Sequence, residues 1–355
     1  MLPTRCWKNK QGAIVIIDVK TGGILAMASN PSYNPNSFAQ GIDQEEYQQL
    51  QTHPEQPLFN RAIRGQYPPG STIKPIVALQ ALESGIINKD TRYFDPGYYK
   101  LREDGRMFRD WREHGHGSVN IDIALTESCS TFFYYLADKL GIERVHEIFS
   151  KFGLGETVGI DIQGEANGIA PSPAWKRATK NSAWYRGETL ITGIGQGYTL
   201  VTPLQIAHMT SIIANRGVRL QPTLLQSVQQ YNAKKEFLSP IYRTAVTVNN
   251  PNNWKLIIAG MENVIKAPRG TAHYIYKADR RIAGKTGTAQ VFGLKQNEKY
   301  VAEKLEEHLL DHGWFMAFSP VDEPQIAMAI ILEHSKGGPI LAGKLIDMYM
   351  QNNPG

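Results

Sequence analysis

Ser71 and Lys74 stand three residues apart in Tyr67-Pro68-Pro69-Gly70-Ser71-Thr72-Ile73-Lys74-Pro75. A serine placed where a proline-glycine turn gives way to a helix lies near exposed helix N–H groups, which lower the energy of an alkoxide and donate to an oxyanion. Three residues on, the lysine returns to the same helix face. There it is placed to take the hydroxyl proton if its ammonium is partly desolvated. The pattern reads as a serine–lysine pair for acyl transfer. Standing alone, S-x-x-K is more often a capping serine followed by a solvated lysine, so the reading needs further pieces.

Two such pieces lie downstream. Ala283-Gly284-Lys285-Thr286-Gly287-Thr288-Ala289 sets small residues inside a strand, where a ligand backbone can approach a sheet edge. Lys285 supplies a cation for a substrate carboxylate and Thr286 a hydroxyl. The same three letters recur at Lys20-Thr21-Gly22, but that copy joins two strands and reads as a hairpin turn. Ser128-Cys129-Ser130 falls within a helical pattern over Ile121–Leu140. Hydroxyls there either bond back to the preceding turn or relay a proton.

The elements that must position these groups follow from periodicity. Ala13–Asp18 and Ile24–Ser29 are apolar strands joined by a glycine turn. Helical spacing follows over Thr72–Glu83, Ile121–Leu140 up to Gly141, Glu143–Phe152, and Pro203 to Asn215 behind the capping Thr202. Trp254–Ile265 is a further helix. Strands return at Arg281–Phe292, Trp314–Ser319 and Gln325–Glu333, before a last helix from about Pro339 to Met350. Strands at both ends and helices between predict an α+β protein: one mostly antiparallel sheet built from both chain ends and packed between helices, with an inserted all-helical lobe at about 70–190. Residues 1–11 are expected to be the remnant of a linker or pedestal of a longer protein, and 12–355 the domain itself.

Composition narrows the function classes. The 355 residues are 42% hydrophobic and 20% charged, which excludes a disordered chain. The net charge of +5 is scattered, and no aromatic-plus-basic stripe suggests nucleic-acid binding. No apolar run has the length of a membrane span. The cysteines Cys6 and Cys129 make no disulfide framework.

Ser71-x-x-Lys74, Ser128-x-Ser130 and Lys285-Thr286-Gly287, in this order, resemble the penicillin-binding proteins and serine β-lactamases. Tyr67-Pro68-Pro69-Gly70, Asp110-Trp111 with Gly115-His116-Gly117, and Gly193-Ile194-Gly195-Gln196-Gly197-Tyr198 make the chain similar to the penicillin-binding protein 2 family, class B transpeptidases of cell elongation, over roughly residues 12 to 350. The resemblance implies a penicilloyl-serine transferase fold and peptidoglycan cross-linking, blocked covalently by β-lactams. Ser71 would be the nucleophile, Lys74 the general base and Ser128 the proton relay to the departing D-Ala. Lys285 would set the electrostatics and hold the donor's terminal carboxylate, while Ser130, Thr286, Gly287 and Thr288 would bind substrate. The backbone N–H groups of Ser71 and Thr288 would form the oxyanion hole. Ser130 stands where that family usually carries Asn or Asp, and a shorter hydroxyl reaches less far.

The chemistry needs no cofactor. Asp95, Asp110, His116 and Cys129 nonetheless make a mixed oxygen, nitrogen and sulfur set that could complete a closed tetrahedral zinc site, with His114 the rival histidine, although their spacing matches no standard finger and reads equally as a buried thiol with carboxylates capping loops. The resemblance adds to that expectation, since some members of the family hold a structural zinc on such a set. It also implies stem peptides and β-lactams as ligands. A SEDS-type glycosyltransferase and other rod-shape proteins would be partners through a missing membrane-proximal part. The setting would be the periplasmic face of the inner membrane, reached by an N-terminal anchor. Competing functions are a β-lactamase, which would need a group to activate water, a β-lactam sensor, a D-Ala carboxypeptidase and a plain cell-wall binding module.

Overall fold

The computed structural model describes residues 7, 10–290 and 310–353. The apolar run Gly12–Asp18 forms β1 and turns back onto β2, Ile24–Asn30. Lys20-Thr21-Gly22 sits in that turn as expected, with Asp18 Oδ1 accepting from the Lys20 and Thr21 N–H groups at 2.9 Å. The far end of the chain supplies β3 (Ala283–Ala289), β4 (His312–Ser319) and β5 (Ile326–Leu332). The order is β3-β4-β5-β1-β2, and every pairing is antiparallel. The expected strand at Arg281–Phe292 is shorter at both ends within the described residues, and Phe292 lies outside them.

Alternation along these strands covers both faces of the sheet. Val15, Ile17, Trp314, Met316, Ala329 and Ile331 belong to one core, while Ile14, Ile16, Phe315, Ala317, Met328 and Ile330 belong to a second. The helices that bear on the site and on the two cores are, in chain order, α1 (Lys74–Glu83), α2 (Ile121–Thr126), α3 (Ser130–Lys151), α4 (Pro203–Ala214), α5 (Asn252–Lys266) and α6 (Gly338–Asn352), and shorter helices occur at Pro35–Ala39, Gln44–Thr52, Arg61–Arg64, Pro173–Lys180 and Arg186–Thr192. Helix α4 packs in the first core and α6 in the second. Thr202 caps α4 reciprocally with Gln205, at 3.2 and 2.8 Å, and Pro203 fills a first-turn position that needs no N–H donor. Among the described residues, no helix is long and apolar enough to cross a membrane.

The central segment differs from the sequence reading in three places. The helix expected over Ile121–Leu140 is broken after Thr126 and restarts at Ser130, because Ser128 takes the left-handed conformation at φ 59°. Its periodicity survives the break, since residues on both sides face the same core. The lobe expected to be all-helical also carries two short antiparallel ribbons, Tyr93–Asp95 with Gly117–Val119 and Tyr98–Lys100 with Met107–Arg109. Three-residue strands are too short for a two-residue period to register. Gly141, expected as a helix stop, is a non-helical joint inside α3 at φ 75°.

Candidate active site

Ser71 lies in a 3₁₀ turn, Gly70–Ile73, that feeds α1, where Pro75 occupies the first turn. The turn is seated on the sheet: Trp314 Nε1 donates to Pro68 O at 2.9 Å. Gly70 has φ +53°, and a Cβ there would lie 2.3 Å from Thr288 O and 3.0 Å from Thr288 N. A Cβ on Gly287 would lie 2.8 Å from Thr72 Cγ2 and 2.9 Å from Pro69 O. Both glycines are therefore spacers that let the edge strand β3 touch the turn that carries Ser71.

Lys74 and Lys285 are both fully buried and converge on Ser128. Lys285 Nζ donates to Ser128 Oγ at 2.8 Å and to Thr286 O at 3.1 Å. Lys74 Nζ donates to Ser128 O at 2.8 Å, to Ser128 Oγ at 3.4 Å and to Ser130 Oγ at 3.1 Å. The break between α2 and α3 makes this possible. A left-handed Ser128 aims both its carbonyl and its hydroxyl at the two amines, which a continuous helix could not do. Burial pushes Lys74 down to about 8, with the negative charge of Asp110 and then of Cys129 acting in the opposite direction. Lys285 is pushed well below its ordinary value by burial and then by Lys74. A fraction of the Lys74 amine is thus neutral near neutral pH. The Ser71 hydroxyl makes no side-chain hydrogen bond among the described residues, so the expected contact with Lys74 is not closed here. Such contacts commonly tighten only when substrate is bound.

Thr286, the second letter of the strand motif, shares a 2.7 Å hydrogen bond with Thr271, a residue the sequence did not single out. Glu127 was missed too. Its buried carboxylate accepts from Arg112 at 3.3 Å and from Arg269 at 2.7 Å, tying the loop before α2 to the segment after α5. Neither residue has a short-range signature, because each partner comes from a distant part of the chain.

Asp95, Asp110, His116 and Cys129 come together beside this centre, with one ligand atom from each lying within 4.8 Å of the others. His116 Nδ1 is 2.8 Å from Asp95 Oδ2 and 3.7 Å from Asp110 Oδ1, and Cys129 Sγ is 3.2 Å from Asp95 Oδ2. Zinc bonds of about 2.0–2.3 Å set tetrahedral ligand atoms roughly 3–4 Å apart, so the set fits that ion. His114, the rival, is exposed, whereas the His116 ring is buried. Asp110 Oδ2 also accepts from the Thr131 N–H at 2.9 Å, capping α3 and tying the cluster to the helix that carries Ser130.

A family model described as "Penicillin binding protein transpeptidase domain" matches residues 12–350. The chain is 43% identical over 332 residues to the peptidoglycan D,D-transpeptidase MrdA of Escherichia coli strain K12, covering 93% of this chain and 52% of that protein. It therefore spans about half the length of the curated relatives it matches. Among solved structures it is similar to Pseudomonas aeruginosa PBP2 in complex with WCK 5153, with a TM-score of 0.85, 39% identity, and 98% of this chain and 72% of that one covered. It is also similar to Helicobacter pylori PBP2 in its complex with MreC, with a TM-score of 0.86, 32% identity, and coverage of 99% and 62%.

Proposed function

This chain belongs to the penicillin-binding protein transpeptidase family, and on that premise we propose that it is the catalytic domain of a peptidoglycan D,D-transpeptidase. The observation that carries the proposal is the convergence on Ser128 of two buried, pKa-depressed lysines, one of which, Lys74, lies one turn along the chain from Ser71. In the first half-reaction Lys74 takes the Ser71 proton, and Oγ bonds to the carbonyl carbon of the penultimate D-Ala of a stem peptide. The oxyanion is held by the N–H groups of Ser71 and Thr288. Collapse breaks the peptide bond, and the terminal D-Ala leaves as an amine after receiving a proton through Ser128. In the second, an amine of a neighbouring stem attacks the acyl ester, forms the cross-link and returns the proton to Ser71. Lys285 and Thr286 hold the donor's terminal carboxylate, while Ser130, Gly287 and Thr288 line its backbone. A β-lactam mimics the donor and remains as the acyl ester.

Asp95, Asp110, His116 and Cys129 are proposed to hold a structural zinc. It would pin the 95–116 loop onto the start of α3 and so fix Ser128 and Ser130 rather than act on the substrate. The whole protein is proposed to act in cell elongation at the periplasmic face of the inner membrane, alongside a SEDS-type glycosyltransferase and other rod-shape proteins. In this proposal residues 1–11 belong to a linker or pedestal and the helical lobe at about 70–190 is an insertion in the α/β part. The complex of the H. pylori relative with MreC supports that setting.

The test is the intact mass after incubation with a fluorescent penicillin, followed over hours. A single stable adduct mapping to Ser71, and absent in Ser71→Ala of unchanged fold, is expected. Labelling retained in Ser71→Ala overturns the nucleophile, and rapid loss of the adduct with drug turnover makes the protein a hydrolase.

A further inference from the structure

The loop Gly193-Ile194-Gly195-Gln196-Gly197-Tyr198 has no part in the chemistry above, yet it holds both sides of the acyl-transfer centre. Gly195 O accepts from the Gly70 N–H at 2.8 Å. A Cβ on Gly195, at φ +73°, would lie 2.2 Å from Gly70 O, so the loop backbone is pressed against the turn that presents Ser71. The Gln196 carboxamide reaches the other side, with Nε2 donating to Thr288 O at 2.8 Å. The loop is itself anchored, since the Tyr198 ring packs on Trp175 and Trp184 with centroids at 5.3 and 6.4 Å.

In a β-strand the N–H and C=O of one residue point to the same edge. Thr288 O faces Gln196 and Gly70, away from β4. The Thr288 N–H therefore faces the same open edge, as its 3.0 Å distance from the missing Gly70 Cβ also shows. We propose that Gln196 is a positioning residue for the oxyanion hole: by gripping Thr288 O it aims the Thr288 N–H at the space beside Ser71. Both proposed oxyanion donors then hang from a single loop, Ser71 through Gly70 and Thr288 through Gln196. Their separation is fixed before charge develops, which is what an oxyanion hole requires. This inference rests on the acyl-serine reading.

The test compares wild type with Gln196→Ala and with Gln196→Glu, which keeps the side-chain size but cannot donate to Thr288 O. Acylation by benzylpenicillin is followed by stopped flow to separate the first-order acylation constant from the non-covalent dissociation constant. The carbonyl stretch of the acyl ester is read by infrared difference spectroscopy with carbonyl-labelled drug. Losing an oxyanion donor costs about 100- to 1000-fold, so losing its positioner is expected to lower the acylation constant by roughly 10- to 100-fold in both variants. The dissociation constant stays unchanged, and the acyl carbonyl frequency rises because the oxygen is less polarised. A merely structural role would lower the melting temperature without moving that frequency. If either variant acylates at the wild-type rate with an unshifted carbonyl, the proposal is overturned. Failure of the wild type to acylate would instead overturn the acyl-serine reading itself.

Discussion

Lys74 is the residue on which the proposed chemistry turns, and its burial has a measurable consequence. An ammonium cannot accept the Ser71 proton, and burial lowers this group to about 8. The acylation rate should therefore rise with pH through about 8 and level off above it, following the neutral amine. A flat profile from pH 6 to 10 would remove Lys74 from the role of base. Ser128 bridges the two amines, so Ser128→Ala should slow acylation by about 100- to 10,000-fold, the range of a positioned proton-transfer group. The same variant with wild-type rates would limit Ser128 to its backbone. Ser71 and Lys74 are legible as candidates because their spacing is local, and Lys285 because its own short motif, Lys285-Thr286-Gly287, is. Ser128 was legible as a residue but not in its conformation, since nothing in the chain marks a left-handed serine.

At the scale of elements, capping and close approach have separable effects. The Thr202 hydroxyl accepts from the Gln205 N–H of its own helix and reaches neither buried lysine, so Thr202→Ala should lower stability by about 1 kcal/mol without changing penicillin labelling. Thermal melts and labelling rates on the same preparation check this, and a slowed rate would tie α4 to the site. Gly70→Ala behaves differently. It forces a Cβ towards Thr288 O at a positive φ, a backbone strain of about 1–3 kcal/mol, and it pushes β3 from the nucleophile's turn. Both the melting temperature and the acylation rate should fall. Unaltered acylation would show that β3 need not touch this turn.

At the scale of the molecule, the acidic, imidazole and thiol cluster joins the 95–116 loop to α3. Cys129→Ser should abolish stoichiometric zinc measured by elemental analysis and lower the melting temperature, and a strong chelator should reproduce that loss in the parent protein. A parent protein purified without zinc and indifferent to chelator would refute the site. The sequence by itself determined the two strand sets, the apolar helices, the glycine-marked turns and the serine–lysine spacing. These arise from local propensity and from periods of two and 3.6 residues, which any short window reveals. Only the tertiary structure decided that Lys285 meets Ser128, that Thr271 holds Thr286, that Glu127 joins Arg112 to Arg269, that His116 rather than His114 enters the cluster, and that Gln196 grips Thr288. These contacts join residues that only the closed sheet and the broken helix bring together, and their energy depends on distance in space, which one-dimensional spacing does not encode.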